Sequence, residues 1–456
     1  MFGIARGLHG VKAAVLLVGM VVTSSSAQAQ QTGSTATETP VVFVHGNGDD
    51  SAKWIGVMWL FESNGYAKNH LYAIRFTNPT ARTDDTKEEA FRSSTTDAAA
   101  ELSAFVTRVL IETHSKKVAL VGSSRGGMTI RNYLEHGGAA NVSYAVLCGT
   151  PNHGVTALDG NPNAEFNGKG IYLQALNHVG NGGMEASSEV VDGVKMMTLR
   201  SDTLDKYAQP TGIALGNPTM KTGVSYEGPA LKGAENVVLT GLDHRELAFQ
   251  PRAFAEMYRF IAGKAPQTLV VKAEDRPVVS GLVTGFMVGA PTNQGLPGVG
   301  VKVFAVGPKG EAATPVYEGT TAQDGHWGPL QAAAGQEYVF DLAYQGRHVR
   351  FYKAPIPRST SLLNLRFLPV PKEAAALTAG NYVLVARPQA YFSRDRDPVE
   401  IDGVLSKDEP GGLPLRDSFL TAIPNEVATV RLRNETLVVR PSSDLGKDLP
   451  VADFLW

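Results

Sequence analysis

The chain has 456 residues, more than one ordinary domain, with 43% hydrophobic and 19% charged residues and a formal net charge of −2. That balance can fill a large core and argues against a surface built to hold nucleic acid or anionic lipid. The single cysteine, Cys148, excludes an intrachain disulfide and, inside an apolar run, reads as a buried small hydrophobe; no cofactor or metal is expected.

Residues 1–29 have the form of a secretory leader. Arg6 and Lys12 precede an apolar run over 13–22, and Ala27-Gln28-Ala29 supplies a small-x-small cleavage site. The run is shorter than the roughly 20 apolar residues that span a bilayer. The expectation is an exported protein, secreted or periplasmic, with no integral membrane span after cleavage and a polar lead-in over 31–38.

A first domain is expected over 30–265. The run 40–44 reads as a buried strand that delivers His45-Gly46-Asn47-Gly48, a loop in which a backbone N–H can approach a substrate with no side chain in the way. The Asn47 N–H is therefore a candidate oxyanion donor. Residues 54–64 read as a helix, 71–76 as a strand and 77–92 as a polar surface loop. Over 97–114, Leu102, Phe105, Val106, Val109 and Leu110 recur at helical spacing behind Asp97, the pattern of a crossover helix packed on a sheet.

The organising stretch follows: Lys117-Val-Ala-Leu-Val-Gly-Ser-Ser-Arg-Gly-Gly-Met128. An apolar strand that stops at Gly122-x-Ser124-x-Gly126 and runs into a helix has the form of a nucleophile elbow, with Ser124 as nucleophile. The helix start places N–H groups, that of Arg125 first, where negative charge develops in acyl transfer. A helix over 128–136 and a strand over 142–148 continue the alternation of strand and crossover expected of a mostly parallel sheet wrapped by helices. Residues 155–193 break that rhythm, and a lid insert or a plain surface loop both account for them.

Beyond the strand 194–199, a carboxylate is needed to orient the catalytic base, and Asp205 and Asp202 compete for the role. Asp205 is preferred because Asp205-Lys-Tyr-Ala-Gln-Pro210 resembles the segment around the catalytic acid of many hydrolases. The last strand, 236–242, leads into Asp243-His244, and His244 completes the chain order Ser, Asp, His. His153 also follows a strand, but it precedes any carboxylate in that order; His45 comes earlier still and reads as structural. A closing helix is expected over 251–261.

After residue 264 the period becomes that of short strands (269–272, 279–283, 299–306, 338–342 and 349–353) between Gly, Pro and Asn turns. The expectation is a β-sandwich or barrel over 266–371 and a second β region over 372–456, either separate or part of the same barrel. No catalytic cluster is evident there; Trp327 and Tyr391 read as core aromatics or as a surface that binds a polymer.

On Val44-His45-Gly46, the Gly-x-Ser-x-Gly elbow, the Asp205 segment and Asp243-His244, the first half resembles the secreted bacterial lipases and esterases of the α/β-hydrolase superfamily. The runs Gly335-Gln-Glu-Tyr-Val-Phe-Asp-Leu342 and Phe351-Tyr-Lys-Ala-Pro-Ile-Pro-Arg358 are similar to the carboxyl-terminal β-barrel domain of archaeal-type lipases. The resemblance implies a carboxylic ester hydrolase acting on acyl esters or lipids, with the β-domain shaping long-chain binding. The archaeal-type enzymes place their acid directly after the strand that follows the elbow, here Cys148 or Gly149, where this chain has no carboxylate. Two other classes stay open on the sequence: a polyester depolymerase whose β region binds the polymer, and a non-catalytic binding protein on a hydrolase scaffold.

Overall fold

The computed structural model describes residues 38–179, 186–215 and 217–455. The leader expected over 1–29, most of the expected lead-in and part of the 155–193 stretch lie outside the described residues. Six parallel strands form the first sheet, in the order Leu71–Ala73, Val41–Val44, Val118–Ser123, Val142–Cys148, Lys195–Arg200 and Glu235–Val238. Strand residues alternate between two cores. Val41, Phe43, Ala119 and Val121 pack with Trp54, Phe61 and Phe254, while Val42, Val44, Val118 and Leu120 pack with Leu102, Val106 and Ile130 on the other face. A sheet apolar on both faces needs helices on both, which is why these strands read as continuous apolar runs. The helices Ile55–Ser63 and Pro251–Ala262 cover the first face and Thr95–Thr113 and Arg125–Glu135 the second. This is the mostly parallel, helix-wrapped architecture of an α/β-hydrolase.

Local chemistry explains several boundaries. Thr95–Thr113 starts at a capping box in which Ser94 and Asp97 satisfy each other's backbone N–H groups, and ends at His114 in a left-handed conformation. The helix after the elbow begins at Arg125, because the turn at Ser124 passes directly into helical backbone. The final sheet strand is short, Glu235–Val238, and the strand expected over 71–76 ends at Ala73.

The remainder is all-β. One eight-stranded sheet takes Gly300–Gly307, Glu337–Tyr344 and Arg347–Lys353 together with Tyr382–Ala386, Ser418–Ala422 and Asp448–Asp453. Asp448–Asp453 lies between Arg347–Lys353 and Tyr382–Ala386, parallel to both. Strands from 266–371 and 372–456 thus share a sheet. The strand expected over 269–272 is absent. Its stretch of backbone is drawn instead to the end of Ile55–Ser63: Asn64 Oδ1 accepts from the N–H groups of Gln267 and Thr268, and Ser63 Oγ accepts from that of Lys272. The helix Ile55–Ser63 presents Leu60 and Phe61 to the hydrolase core and Ile55 and Trp59 to the β core, so one helix serves both. Trp327 and Tyr391 are buried, so neither offers a surface to a polymer.

Candidate active site

Ser124 follows Val118–Ser123 with φ 51° and ψ −118°, a region a non-glycine residue enters only under strain of about 1–3 kcal/mol. The surroundings hold it there. Its N–H donates to Cys148 O on the neighbouring strand at 2.8 Å, and the Gly127 N–H donates back to Ser124 O at 3.0 Å. A Cβ at Gly126 would lie 2.3 Å from Val44 O and 2.7 Å from His45 O, so only glycine lets the new helix start this close to the first strand.

His244 Nε2 lies 3.0 Å from Ser124 Oγ, and His244 Nδ1 lies 2.9 Å from Asp205 Oδ2. Asp205 is buried, and its other oxygen accepts the Tyr207 N–H at 2.9 Å. An ionised carboxylate only accepts, so Nδ1 must carry the proton, which leaves the Nε2 lone pair facing the serine hydroxyl. The Tyr207 ring meets the imidazole edge-on at 4.6 Å. Asp202, the competing carboxylate, points elsewhere and accepts from the N–H of Thr203 at 2.6 Å and, more weakly, from that of Gly241. A Cβ at Gly149 would be 3.3 Å from His244 Nδ1.

His153 is remote in function: its Nε2 meets Glu189 Oε1 at 2.8 Å and its Nδ1 pairs with Gly228 O, pinning the insert. His45 is buried, bonds Gly46 O through Nδ1 and accepts the Phe76 N–H at Nε2, and burial lowers its pKa, which favours the neutral ring. Cys148 is buried and its thiol pKa is pushed up by burial, which keeps it an inert packing group.

The loop after His45 runs past the nucleophile. A Cβ at Gly46 would come within 3.3 Å of Ser124 Cβ. Among the described residues the N–H groups of Asn47 and Arg125 have no hydrogen-bond acceptor, while the Asn47 side chain is engaged with the Ala81 N–H at 2.8 Å. The loop is braced from the β region: Asn293 Nδ2 donates to Asp49 O and Phe76 O, and Arg366 donates to Gly48 O at 2.9 Å and to Asn293 Oδ1 at 2.6 Å. Asp49 is buried; burial opposes its charge, but Arg245 and Lys53 hold its carboxyl down at about 2.

The Arg125 side chain turns away from the site. Its Nε meets both oxygens of Glu165 at 2.8 and 3.0 Å, and its remaining nitrogens bond Pro79 O and Ser93. The 77–92 segment, expected as a plain surface loop, therefore also supplies a partner, Pro79 O, to the elbow helix. Sequence reading also missed Glu246, Arg387 and Arg396, which gather around the turn carrying His244. The spacing Asp243-x-x-Glu246, a capping-box signature, was the one signal that pointed there.

Residues 38–155 match the family model described as Lipase (class 2), and residues 279–369 match Lipase C-terminal domain. Among solved structures, the chain is similar to Aspergillus fumigatus lipase B at 14% identity and a TM-score of 0.35, over 51% of this chain and 54% of that one. It is similar to the mature form of Bacillus licheniformis lipase BlEst2 at 18% identity and a TM-score of 0.31, over 47% of this chain and 87% of that one. The propeptide form of BlEst2 matches over 88% of this chain and 96% of that one, at 14% identity and a TM-score of 0.34. Among the described residues, no helix is long and apolar enough to cross a membrane. With a class 2 lipase segment carrying the elbow and a lipase C-terminal segment behind it, the chain is a carboxylic ester hydrolase of the lipase and esterase type.

Proposed function

We propose that the chain is an exported serine hydrolase that cleaves acyl esters through an acyl-enzyme, with Ser124 as nucleophile, His244 as general base and acid, and Asp205 as the carboxylate that orients it. The observation that carries this reading is the unbroken relay from Asp205 Oδ2 through the His244 imidazole to Ser124 Oγ, mounted on a strained elbow. Ser124 Oγ attacks the ester carbonyl carbon as its proton passes to His244 Nε2. The carbonyl oxygen, now an anion, is met by the N–H groups of Asn47 and Arg125. One such donor is worth about 3 kcal/mol of transition-state stabilisation. Collapse of the tetrahedral intermediate breaks the ester C–O bond, and His244 returns the proton to the departing alcohol. Water then repeats the sequence on the acyl-enzyme and releases the acid.

Support for export comes from the charged start, apolar run and small-x-small site over 1–29. The test is Ser124→Ala assayed on p-nitrophenyl esters, with a fluorophosphonate probe read by mass spectrometry on the parent enzyme. Turnover in the variant should fall by roughly six orders of magnitude with the fold retained, and the probe should attach at residue 124. Near-normal turnover, or labelling at another residue, would refute the assignment.

A further inference from the structure

His244 rides on a turn closed by two carboxylates. Asp243 Oδ1 accepts the N–H groups of Arg245 and Glu246 at 2.9 and 3.0 Å, and Glu246 Oε2 accepts the Asp243 N–H at 3.0 Å. This reciprocal capping-box pattern fixes the backbone of the residues between them. Both carboxylates are at 0% exposure, where their mutual repulsion is poorly screened. Burial first, and Asp243 second, push the Glu246 carboxyl up. By itself such a turn would shed charge or open.

Its compensation comes from far along the chain. Arg396 Nη1 and Nη2 reach Glu246 Oε2 at 2.8 Å and Asp243 Oδ2 at 3.0 Å, bridging both carboxylates. Arg387, wholly buried, meets Glu246 Oε1 at 2.9 Å, and Arg433 meets the same oxygen at 3.1 Å. The Tyr391 N–H donates to Asp243 Oδ2 at 2.7 Å. Asp397 binds all three guanidinium groups in turn at 2.8–3.0 Å. Three carboxylates (Asp243, Glu246 and Asp397) thus meet three arginines (Arg387, Arg396 and Arg433), and the cluster is neutral.

We infer that Arg396 is a positioning residue for His244, so that the β segment 372–456 sets the imidazole's place between Ser124 and Asp205. The inference rests on the reading of His244 as the base. The bonds of Arg396 and Arg387 to this turn end on the residues one before and two after His244, not on Ser124, Asp205 or the imidazole. A relay with a reach of 3.0 Å on one side and 2.9 Å on the other leaves the ring little room to drift. A misplacement of about 1 Å can cost on the order of 100-fold in rate.

The experiment uses the full chain. Arg396→Gln removes the bridge, Arg396→Lys restores charge without the fork, and Arg350→Gln breaks a part-buried pairing with Glu311 and Asp448 in the eight-stranded sheet, away from His244. For each, kcat and KM on a p-nitrophenyl ester, the rate of fluorophosphonate labelling at Ser124, and Tm are measured. Arg396→Gln should lower kcat and the labelling rate together by about 10- to 100-fold with KM within about twofold, and Arg396→Lys should recover part of both. Arg350→Gln should lose Tm and keep kcat. Unchanged labelling in Arg396→Gln, or an equal loss of kcat in Arg350→Gln, overturns the inference. If Arg396→Gln does not fold, Arg433→Gln, whose side chain is one-third exposed, carries the same comparison at smaller amplitude. Failure of the parent enzyme to label at Ser124 would sink the proposed mechanism instead, so the two failures are distinct.

Discussion

The two turns that carry Ser124 and His244 are built on opposite principles. The elbow is local. Its strained backbone is held by one strand bond to Cys148 and by a glycine that lets the helix touch Val44 O, and every part lies within a few residues or on an adjacent strand. The turn at His244 is the reverse, because its closing carboxylates are buried and their counter-charges stand 141–187 residues later. A steric device can be written into a pentapeptide, whereas two buried charges need partners that packing delivers from elsewhere in the chain, here Arg387, Arg396 and Arg433 in the loops of the β region.

Substitutions can sharpen or break this contrast. On the proposed mechanism the largest effect after loss of Ser124 falls on the proposed acid: Asp205→Asn should cost about 10⁴ in kcat by presenting the wrong imidazole tautomer, while Asp202→Asn should stay within about twofold. Steady-state kinetics on one ester decides between them, and the opposite ranking would move the acid to Asp202. Next comes the elbow itself. Gly126→Ala drives a methyl into the Val44 and His45 carbonyls and should destabilise the fold by about 3 kcal/mol, read as a lowered urea midpoint. An unchanged midpoint would show that the elbow is not sterically self-contained.

The smallest effect probes the shell behind the arginines. Glu409 is buried and its Oε2 accepts the Val399 N–H at 2.7 Å. Burial, with Asp397 nearby, pushes its carboxyl up to about 7. Because the folded value is raised above the ordinary 4.5, folding is favoured below that ordinary value and the contribution is lost as pH rises through 7. The loss is at most about 3 kcal/mol. Glu409→Gln keeps an acceptor for Val399 and should flatten the fall in stability between pH 5 and 8 seen in urea titrations of the parent; parallel curves would remove this residue from the account.

Much of the site was legible because it is written locally. The apolar run 118–121 followed by Gly122-x-Ser124-x-Gly126 fixes a strand, a strained turn and a helix in twelve residues, and chain order then singles out His244 among the histidines. The Asp205 segment was distinguishable from Asp202 by pattern, but which carboxylate meets the imidazole depends on how two loops fold back over the sheet. The absent strand over 269–272 went the same way: its apolar run was real, yet its Lys272 N–H, like those of Gln267 and Thr268 just before it, goes to the end of Ile55–Ser63.

The sequence by itself determined the α/β alternation, the elbow and the identity of its serine, since each follows from residue spacing and the steric needs of a tight turn. Only the tertiary structure decided that a strand from the carboxyl terminus completes the β sheet. Only it brought Arg387 and Arg396 to the carboxylates beside His244. Buried charge has no period along a chain; its partners are chosen by packing, because the field of a carboxylate depends on what lies within a few ångströms in space and not on how far away it lies in sequence.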